Sequence, residues 1–578
     1  MEKIKKYFPV ILLSLLGAFI HFYGLDAGTP SPLKTGNIFR PGELAVYVPE
    51  MIELRDKYYS AIREMMAGKK DLEKTSKELF FHNLKSGPYG EMSEELKLDA
   101  MRNFFIGVAT TDEQQAMAGI SRLDPLKLDF NPDDYIYGGF YFHSAAAFLV
   151  LGKLAGLISL NPSAEYYFSR PEEVRNMYVL VRSFSALAGL LGALLLFCMV
   201  RRDYGGKAAF LAALFALMSP LLLYNGHEAK PHNYAFLWTL LGVYFCRRLT
   251  FSEDVKNYLL AGAAFGLAGG SLLPNLMLFS VLLFAEWGKR RSFPGMINKK
   301  VLYAAAACFA AFFVTNHYLF FDLKTFLIKY RETSLLWGYG KLWNWQAMNF
   351  LKDGFFWLLG FSALPAVLAG AFALYRDKTP FSRTLLYSPV FLYLVNLLIL
   401  KHTMMLIICL PFVAAMFGLG CERLIRSFRK TGLAYASLCL ALFLLQGFDF
   451  INSYRSGRNL LSAGEWINAN IPRGNSIGVF GGWFNSGSLP PFHYLEYRLI
   501  HWPEDSAALS RDREKLPGYL LLPRRRLTPA VSVYVREYYS ELKAFGGESF
   551  FSKIFPIREN YIKAEIEPFF IFKLTRKF

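Results

Sequence analysis

Thr110-Thr111-Asp112-Glu113-Gln114 places two adjacent carboxylates directly before the run AMAGI. A carboxylate at this point could remove a proton from an acceptor hydroxyl group or hold a divalent cation. The same residues also fit a helix start. Thr110 with Glu113, or Thr111 with Gln114, makes a capping box, and acids in a first helical turn complement the helix dipole. The spacing alone leaves both catalysis and capping open.

A second polar segment, 227–232, has the sequence HEAKPH and separates two long apolar runs. Ionisable groups at membrane depth are costly and therefore tend to be functional. Lys230 could contact a lipid phosphate with His227 as a hydrogen-bond donor, and Lys401 at the end of another apolar run could do the same. Alternatively, these side chains lie at the interface and reach water by snorkelling. His227 and His143 make no convincing zinc set, so a metalloprotease is not expected.

The elements that must position these residues follow from the composition. Of 578 residues, 53% are hydrophobic, 17% aromatic and only 19% charged, against about 25% charged residues in ordinary globular chains. This composition predicts a membrane protein and excludes a disordered chain. The net charge of +18 lies in short clusters beside the apolar runs, which argues against nucleic acid as a partner.

Apolar runs of bilayer length occur along most of the chain. A helix needs about 17 to 25 residues to span the hydrocarbon core, and the runs predict about eleven spans. The stretch 257–287 contributes two short spans, because Gly269-Gly270 and Pro274 interrupt it. The remaining runs are 8–24, 178–200, 208–224, 233–249, 301–320, 355–375, 384–400, 404–421 and 432–449.

Basic clusters between alternate runs predict the orientation, because Lys and Arg are enriched in cytoplasmic loops. The N-terminus is then cytoplasmic, the first run is an uncleaved span, and residues 26–177, 321–350 and 450–578 are extracytoplasmic. The apolar segment 138–160 must not cross, because crossing there would place later clusters outside; we expect an interfacial or re-entrant helix. The clusters are Lys3/Lys5/Lys6, Arg201/Arg202/Lys207, Arg247/Arg248/Lys256, Lys289/Arg290/Arg291/Lys299/Lys300, Arg376/Lys378/Arg383 and Arg423/Arg426/Arg429/Lys430.

The two large external regions differ in pattern. In the first, 26–177, apolar residues recur at helical spacing from Met51 to Met65, and Gly68 should end that helix. The second, 450–578, alternates short apolar runs with helical ones and predicts a small α/β domain. Its predicted helices are 462–471 and 531–545, and its predicted extended runs are 476–481, 497–502, 519–523 and 569–574. The predicted organisation is therefore a transmembrane domain, 1–449, followed by an α/β domain, 450–578.

The order of these features resembles one group of membrane glycosyltransferases. Residues 181–249 contain an Arg-x-x-Ser-Ala span, a basic turn, a span ending in Ser-Pro and the HEAKP segment. This order resembles the core of the GT-C class, in the dolichyl- or polyprenyl-phosphate-dependent group that includes protein O-mannosyltransferases and aminoarabinose transferases. TTDEQ and LDFNPDDYIYGGFYFH, within 110–143, are similar to that group's acidic pair and its NPxxxxYGGxY segment. LKHTMMLIICLPFVAAMFGLG, 400–420, resembles its late proline-containing span.

The resemblance implies a GT-C-like fold of transmembrane helices and a function. That function is transfer of a sugar, with inversion, from a polyprenyl-phosphate donor to an acceptor hydroxyl group of a glycan, lipid or protein. It implies that Asp112 orients or deprotonates the acceptor and that Glu113 supports Asp112 or a metal ion. It further implies that Lys230, with His227 and Lys401, stabilises the departing lipid phosphate.

The chain departs from the group in ways that affect these assignments. Many relatives carry an acidic pair soon after the first span, where this chain has Gly42-Glu43, so Glu43 is the reserve candidate for the base. Lys230 replaces a more common Arg, and an ammonium group lacks the bidentate phosphate recognition of a guanidinium. A divalent cation is an open requirement, whereas no nucleotide cofactor is expected because the lipid phosphate activates the sugar. The expected location is a prokaryotic plasma membrane.

Two other classes of function fit the sequence less well. A polytopic lipid or polysaccharide transporter or flippase usually shows paired interrupted helices in two repeated halves, whereas this sequence has one evident interruption, in 257–287. A receptor that uses its membrane part as an anchor would not need so many spans. The sequence favours the glycosyltransferase.

The predicted orientation can be tested with cysteines introduced at residues 90, 294 and 560. Because the basic clusters place residue 294 in the cytoplasm, an impermeant thiol reagent should label intact cells only at residues 90 and 560. Labelling at residue 294 in intact cells would overturn the orientation.

Overall fold

The computed structural model describes residues 2–66, 90–108, 110–135, 137–292, 294–336, 345–360, 362–455, 459–480, 489–502, 515–546 and 568–575. They form two compact units. Unit 1 comprises Met1–Leu25, Gln115–Leu151 and Leu180–Ile451, and unit 2 comprises Asp26–Gln114, Gly152–Val179 and Asn452–Phe578. Unit 2 thus combines part of the region between the first spans with the C-terminal region, a different division from the boundary drawn at residue 450.

The described part of the chain is mostly helical. Its first twelve helices are α1 (Glu2–Phe22), α2 (Pro32–Ile38), α3 (Glu43–Met66), α4 (Glu94–Ile106), α5 (Thr111–Arg122), α6 (Gly139–Leu154), α7 (Ala164–Ser169), α8 (Pro171–Tyr204), α9 (Gly206–Met218), α10 (Pro220–Gly226), α11 (His232–Leu249) and α12 (Val255–Ser271). The others are α13 (Phe279–Arg290), α14 (Lys299–Thr315), α15 (His317–Phe321), α16 (Leu323–Leu336), α17 (Trp345–Leu359), α18 (Leu364–Asp377), α19 (Pro380–Val395), α20 (Leu410–Ser427), α21 (Arg429–Arg455), α22 (Asn459–Asn470) and α23 (Pro529–Tyr538).

Several helices of unit 1 have the length and apolar character of membrane spans. Among the described residues, three qualify by these criteria, namely Pro171–Tyr204, Pro380–Leu400 and Arg429–Asn452. A fourth is obtained if α9 and α10, which meet at a bend of 53°, count as one span, and α6 is a shorter apolar helix. The count of eleven spans and the interfacial position of 138–160 therefore stay predictions.

Two helix breaks in unit 1 lie beside a proline, which lacks a backbone N–H donor. The predicted interruption of 257–287 is confirmed, because α12 ends at Ser271 and a 3₁₀ segment, Leu273–Leu278, precedes α13. Pro274 cannot donate a backbone hydrogen bond, which disfavours a continuous helix. The bend between α9 and α10 lies at Ser219-Pro220 for the same reason.

Glycines let helices in unit 1 pack backbone to backbone. A Cβ atom on Gly420 of α20 would lie 1.7 Å from the carbonyl oxygen of Ala366 in α18, and one on Gly370 of α18 would lie 1.9 Å from that of Met416. Small residues at such contacts are typical of membrane helix pairs, because tight packing replaces the missing hydrophobic driving force.

Unit 2 contains a five-stranded mixed sheet with the order β2-β1-β3-β5-β4. β1 pairs in parallel with β2 and β3, and β5 pairs antiparallel with β3 and β4. The strands are β1 (Ser476–Phe480), β2 (Arg498–Trp502), β3 (Tyr519–Pro523), β4 (Tyr539–Phe545) and β5 (Phe569–Leu574). The predicted α/β character of this region is confirmed.

The predicted helix 531–545 was wrong in its second half. Helix α23 ends at Tyr538, and the next residues form the edge strand β4. β4 pairs with β5 through a register shift between Glu541 and Lys543. The local helical pattern gives way because β5 needs a second hydrogen-bonding neighbour, and tertiary pairing outweighs a weak intrinsic propensity.

Segments far apart in sequence share the core of unit 2. The backbone of Met92 donates to Leu499 of β2 (2.8 Å), and His501 donates to Gly90 (3.0 Å), so residues 90–92 extend the sheet. The predicted helix from Met51 to Met65 is confirmed within α3. The common hydrophobic core includes Met51, Leu54, Met101, Phe104, Phe105, Ile467, Val479, Tyr494, Leu499, Leu521 and Ile571.

A buried lysine reinforces this joint core. The Nζ of Lys97 in α4 donates to the carbonyl oxygen of Tyr497 (2.8 Å). Burial lowers the pKa of the Lys97 ammonium group, since desolvation disfavours its charged form. The predicted helix stop at Gly68 and the labelling position Asn560 lie outside the described residues.

The glycine contacts predict a sharp difference between two glycine substitutions in unit 1. Gly420→Ala should lower the melting temperature in detergent, because overpacking a tight contact costs about 1–3 kcal/mol. Gly206→Ala is the matched control: a Cβ there meets nothing within 4 Å, and alanine in a helix is favoured over glycine by about 0.5–1 kcal/mol. Equal melting temperatures, measured by tryptophan fluorescence, would contradict the close packing of α18 and α20.

Candidate functional site

The acidic pair lies in the first turn of α5, where its two carboxylates have different surroundings. Asp112 is exposed to solvent and Glu113 is fully buried. The hydroxyl group of Thr110 donates to Oε2 of Glu113 (2.7 Å), and the Gln114 amide donates to the carbonyl oxygen of Thr110 (3.3 Å). Glu113 is thus tied to the helix start, whereas Asp112 is the accessible carboxylate of the pair.

A buried lysine contacts the connection that leads to this pair, and sequence reasoning missed it. Lys34 of α2 is buried, and its Nζ donates to the carbonyl oxygen of Gly107 (3.3 Å). The side chain of Gln114 donates to the carbonyl oxygen of Val108 (2.7 Å) on the same connection. A lone lysine in the segment PLKTGNI gave no signal of burial.

Glu43, the reserve candidate, begins α3. Its carboxylate accepts a hydrogen bond from the backbone N–H of Arg40 (2.9 Å), a contact that steadies the start of a helix. The structure therefore gives Glu43 a local capping contact.

In unit 1, the HEAKPH segment is the turn between α10 and α11, and it contains a buried ion pair. Nζ of Lys230 lies 2.6 Å from Oε2 of Glu228, and both side chains are almost completely buried. The Lys230 ammonium also lies 5.2 Å from the centre of the Tyr224 ring. The sequence singled out Lys230 as a cation, but its partner Glu228 was not recognised.

Contacts with backbone carbonyl oxygens connect this turn to neighbouring segments of unit 1. The ring nitrogens of the buried His227 lie 2.9 Å from the carbonyl oxygens of Leu223 and Tyr23. The hydroxyl group of Ser185 in α8 donates to the carbonyl oxygen of Lys230 (3.1 Å). Arg182, one turn earlier in α8, is fully buried and donates to the carbonyl oxygen of Leu25 (2.6 Å).

Further polar residues that the sequence did not single out pack around Gly226. His21 of α1 is fully buried, and its Nε2 lies 3.2 Å from the carbonyl oxygen of Leu217. The side chain of Asn233 donates to the carbonyl oxygen of Leu222 (3.0 Å). A Cβ atom on Gly226 would lie 2.9 Å from Nδ1 of His21 and 3.1 Å from Nδ2 of Asn233. A single histidine within the first apolar run was the available signal.

Lys401 follows a π-helical turn, Asn396–Leu400, and adopts a left-handed conformation with φ of 50°. It is largely buried, and its Nζ donates to the carbonyl oxygen of Leu398 (3.2 Å). The 3₁₀ segment that follows, Thr403–Ile408, packs against α10 and α11. Nδ2 of Asn225 in α10 lies 3.7 Å from the sulfur of Met404. The residues directly after Lys401 therefore lie beside the helices that flank the ion pair.

The YGG segment lies against the break after α12. The Gly138 amide donates to the carbonyl oxygen of Ser271 (3.0 Å), and the Gly139 amide donates to Oδ1 of Asn316 (2.8 Å). A Cβ atom on Gly138 would lie 1.9 Å from the carbonyl oxygen of Gly270, so only glycine permits this approach. The ring of Tyr137 meets that of His232 edge to face, with centres 6.2 Å apart.

Asp112 and Glu113 are the residues that the sequence suggests as possible ligands of a divalent cation. In the part of the chain that the structure describes, no group of three or more His, Cys, Asp or Glu side chains is arranged to hold a metal ion. Of the two carboxylates, one is exposed and the other accepts the Thr110 hydroxyl group. A requirement for a divalent cation stays a prediction.

Residues 175–319 match the family described as dolichyl-phosphate-mannose-protein mannosyltransferase. The matched range includes the Glu228–Lys230 turn. For this range the predicted resemblance to lipid-phosphate-dependent glycosyltransferases is confirmed. Together with the apolar helices, the match also supports the predicted integral membrane protein. No curated protein matches the chain in sequence.

The solved structures that the chain matches at low similarity include the following three. ArnT from Cupriavidus metallidurans bound to undecaprenyl phosphate covers 97% of this chain and 97% of its own, with 13% identity and a TM-score of 0.42. The Archaeoglobus fulgidus oligosaccharyltransferase in complex with Zn and sulfate covers 70% of this chain and 63% of its own, with 13% identity and a TM-score of 0.39.

AglB from Archaeoglobus fulgidus, in complex with an inhibitory peptide and a dolichol-phosphate, covers 72% of this chain and 65% of its own. Its identity is 11% and its TM-score 0.38. The chain thus spans just under two thirds of these two archaeal structures. At such TM-scores the similarity supports no inference about activity.

Asn316 should be essential for the packing of the YGG segment in unit 1. Asn316→Leu removes the acceptor for Gly139 and the donor to the carbonyl oxygen of Gly270 (3.3 Å), and a buried unsatisfied group costs about 1–3 kcal/mol. The matched control, Tyr135→Phe, removes the hydroxyl group that donates to Asp322 (3.0 Å) and also bonds to the Asn131 side chain. Thermal unfolding should show the larger loss for Asn316→Leu. A larger loss for Tyr135→Phe would refute this role of Asn316.

Proposed function

We propose that the chain is an integral-membrane glycosyltransferase that moves a sugar from a polyprenyl-phosphate donor to an acceptor hydroxyl group on the extracytoplasmic side. One observation carries the proposal. The range that matches a dolichyl-phosphate-mannose-dependent family, 175–319, contains the buried Glu228–Lys230 turn, where a cation lies among hydrogen-bonded helix ends. The extracytoplasmic assignment rests on the positive-inside distribution of the basic clusters.

The proposed reaction is an inverting displacement at the anomeric carbon of the sugar. The acceptor oxygen forms a bond to that carbon while the bond from the carbon to the phosphate oxygen breaks. The bonding electron pair leaves with the lipid phosphate, and the acceptor proton passes to a carboxylate. Because the lipid phosphate is already a good leaving group, the reaction needs no nucleotide. The partners are the lipid-linked donor and a glycan, lipid or protein acceptor.

Asp112 is the proposed base. It is the exposed member of the acidic pair, so an acceptor hydroxyl group can reach it. Glu113, buried and bound to Thr110, would fix the start of α5 and thereby the position of Asp112. Glu43 is the reserve base.

The proposed donor site uses the cations of unit 1. Lys230, with His227 and Lys401, would stabilise the charge that collects on the lipid phosphate as the bond breaks. Contacts that strengthen in the transition state raise the rate more than contacts that act equally on the bound donor. The packing of Thr403–Ile408 against α10 and α11 supports a common location for Lys230 and the residues next to Lys401.

The test is an assay of purified protein with a panel of polyprenyl-phosphate sugars, scored as donor consumption and product formation. Asp112→Asn should lower turnover by about 10²- to 10⁴-fold, the usual contribution of a general base. Expression should be little changed, because asparagine keeps the shape and capping ability. Glu113→Gln should cost less, and Glu43→Gln less still.

Asp56→Asn is the matched control, since Asp56 is an exposed aspartate of the same unit, paired with Arg55. It should leave turnover unchanged. If Asp112→Asn retained normal turnover, the acidic pair would be only a helix cap, and Glu43 and Asp133 would be the next candidates. If no polyprenyl-phosphate sugar were consumed by the wild type, the proposed function would fail.

A further inference from the structure

A tight turn between α5 and α6 carries two leucines with almost no cover. Residues 124–129, which we call the leucine turn, are built around a 3₁₀ segment, Pro125–Lys127. Leu126 is 97% exposed and Leu128 is 78% exposed. Single exposed leucines are common on protein surfaces, but here two of them project from one short turn of an integral membrane protein.

The backbone of the leucine turn satisfies its own hydrogen-bond donors. Pro125 has no N–H group, and the N–H group of Leu126 acts on the Asp124 carboxylate, whose pKa it helps to lower after the larger effect of the Lys127 side chain. The other N–H groups donate to carbonyl oxygens of the same turn: Asp124 to Asp129 (2.9 Å), Lys127 to Asp124 (3.1 Å), Leu128 to Pro125 (3.2 Å) and Asp129 to Asp124 (3.0 Å). The turn therefore leaves no backbone donor that requires water, a condition for contact with lipid.

The charged side chains of the leucine turn are also compensated. Nζ of Lys127 lies 2.9 Å from Oδ2 of Asp124. The Asp129 carboxylate accepts a hydrogen bond from the backbone N–H of Asn131 (3.1 Å). Pairing and hydrogen bonding reduce the cost of moving charges into a layer with little water. Because Asp129 still leaves one net negative charge, the turn suits the headgroup layer rather than the hydrocarbon core.

Leu128 also has an unfavourable backbone conformation. Its φ of 56° lies in the left-handed region, which glycine and asparagine adopt more readily than leucine. In water, both the exposure and the conformation disfavour leucine at this position. A residue that is kept in such a conformation suggests a function for its side chain.

The leucine turn is continuous with a surface that exposes further apolar side chains. The ring of Phe130, the next residue, meets that of His143 in α6 edge to face, with centres 5.8 Å apart. Burial and the nearby His317 both lower the pKa of His143. The ring of His317 in turn lies 6.2 Å from that of Phe321, which is 81% exposed. Phe321 directly follows the predicted span 301–320, so this surface lies where that span leaves the membrane.

We propose that the leucine turn is a bilayer contact, in which Leu126 and Leu128 insert into the interfacial layer of the membrane that the protein spans. Lys127, paired with Asp124, stays at headgroup level. The contact fixes the depth of the connection between α5 and α6. Because the charges are paired within the turn, the contact is apolar and needs no anionic lipid. The inference depends on the membrane character of the chain and not on the proposed sugar transfer.

The experiment places an environment-sensitive fluorophore on the turn. Leu126→Cys and, as the matched control, Ser540→Cys are labelled in full-length protein that also carries Cys198→Ser. Cys198 is the exposed native cysteine, and the other five are buried; Ser540 is an exposed residue of strand β4. Each labelled protein is placed in phosphatidylcholine nanodiscs with one copy per disc, with and without lipids that carry a nitroxide quencher at headgroup depth.

The probe at residue 126 should emit at shorter wavelength than the probe at residue 540 and should lose more emission to the nitroxide lipids. Emission equal to that of the control would overturn the proposal. Short-wavelength emission without quenching by the lipids would also overturn it, because the leucines would then be covered by protein.

A second pair of variants tests the contribution of Leu128 with the probe kept at residue 126. Leu128→Asn suits the left-handed conformation but removes the apolar side chain, so quenching by the nitroxide lipids should fall. Leu128→Met keeps an apolar side chain and should retain the quenching. Equal quenching in the two variants would contradict insertion of Leu128.

Discussion

Main-chain carbonyl groups freed at helix breaks within an apolar unit must find hydrogen-bond donors, and this requirement organises unit 1. Away from water, an unsatisfied carbonyl costs about as much as a lost hydrogen bond. Polar side chains donate to such carbonyl oxygens at several positions. Arg182 donates to Leu25, Ser185 to Lys230, Asn225 to Leu221, Asn233 to Leu222 and Asn316 to Gly270. Several of these donors, such as Ser185 and Asn233, lie beside the turn that contains Lys230 and also make broken helices tolerable.

The number of helix breaks also affects the choice between a transporter and a glycosyltransferase. The sequence argument against a transporter relied on a single interrupted span, yet the described residues contain further breaks, at Ser219-Pro220 and between α19 and α20. That argument therefore loses its force. The choice of a glycosyltransferase rests instead on the match of residues 175–319 to a sugar-transferring family.

Unit 2 shows why the acidic pair could not be understood as part of an isolated loop. The helices before it share one core with a sheet built by the last 100 or so residues: Phe104 of α4 stacks on Tyr494, with ring centres 5.6 Å apart. Residues 90–92 pair with β2 in the same way. The C-terminal region is thereby part of the support of the helix that leads to Asp112 and Glu113, and a truncation there should not be regarded as the removal of an accessory domain.

The sequence by itself determined the features that depend on composition and short spacing. Apolar runs of bilayer length predicted the helical unit. The glycines and the proline in 257–287 predicted the break after Ser271, because a missing backbone donor acts on the helix in which it lies. Alternating runs predicted the α/β region, and the HEAKP spacing predicted the family resemblance. The tertiary structure decided what depends on long-range partners. In the structure, residues 539–545 form a strand instead of the predicted helix, and residues 26–114 belong to the same unit as the C-terminal sheet. Lys230 forms a buried ion pair with Glu228. Such contacts arise because buried hydrogen-bonding groups and charges need partners, and a sequence pattern does not state which distant or neighbouring residue provides them.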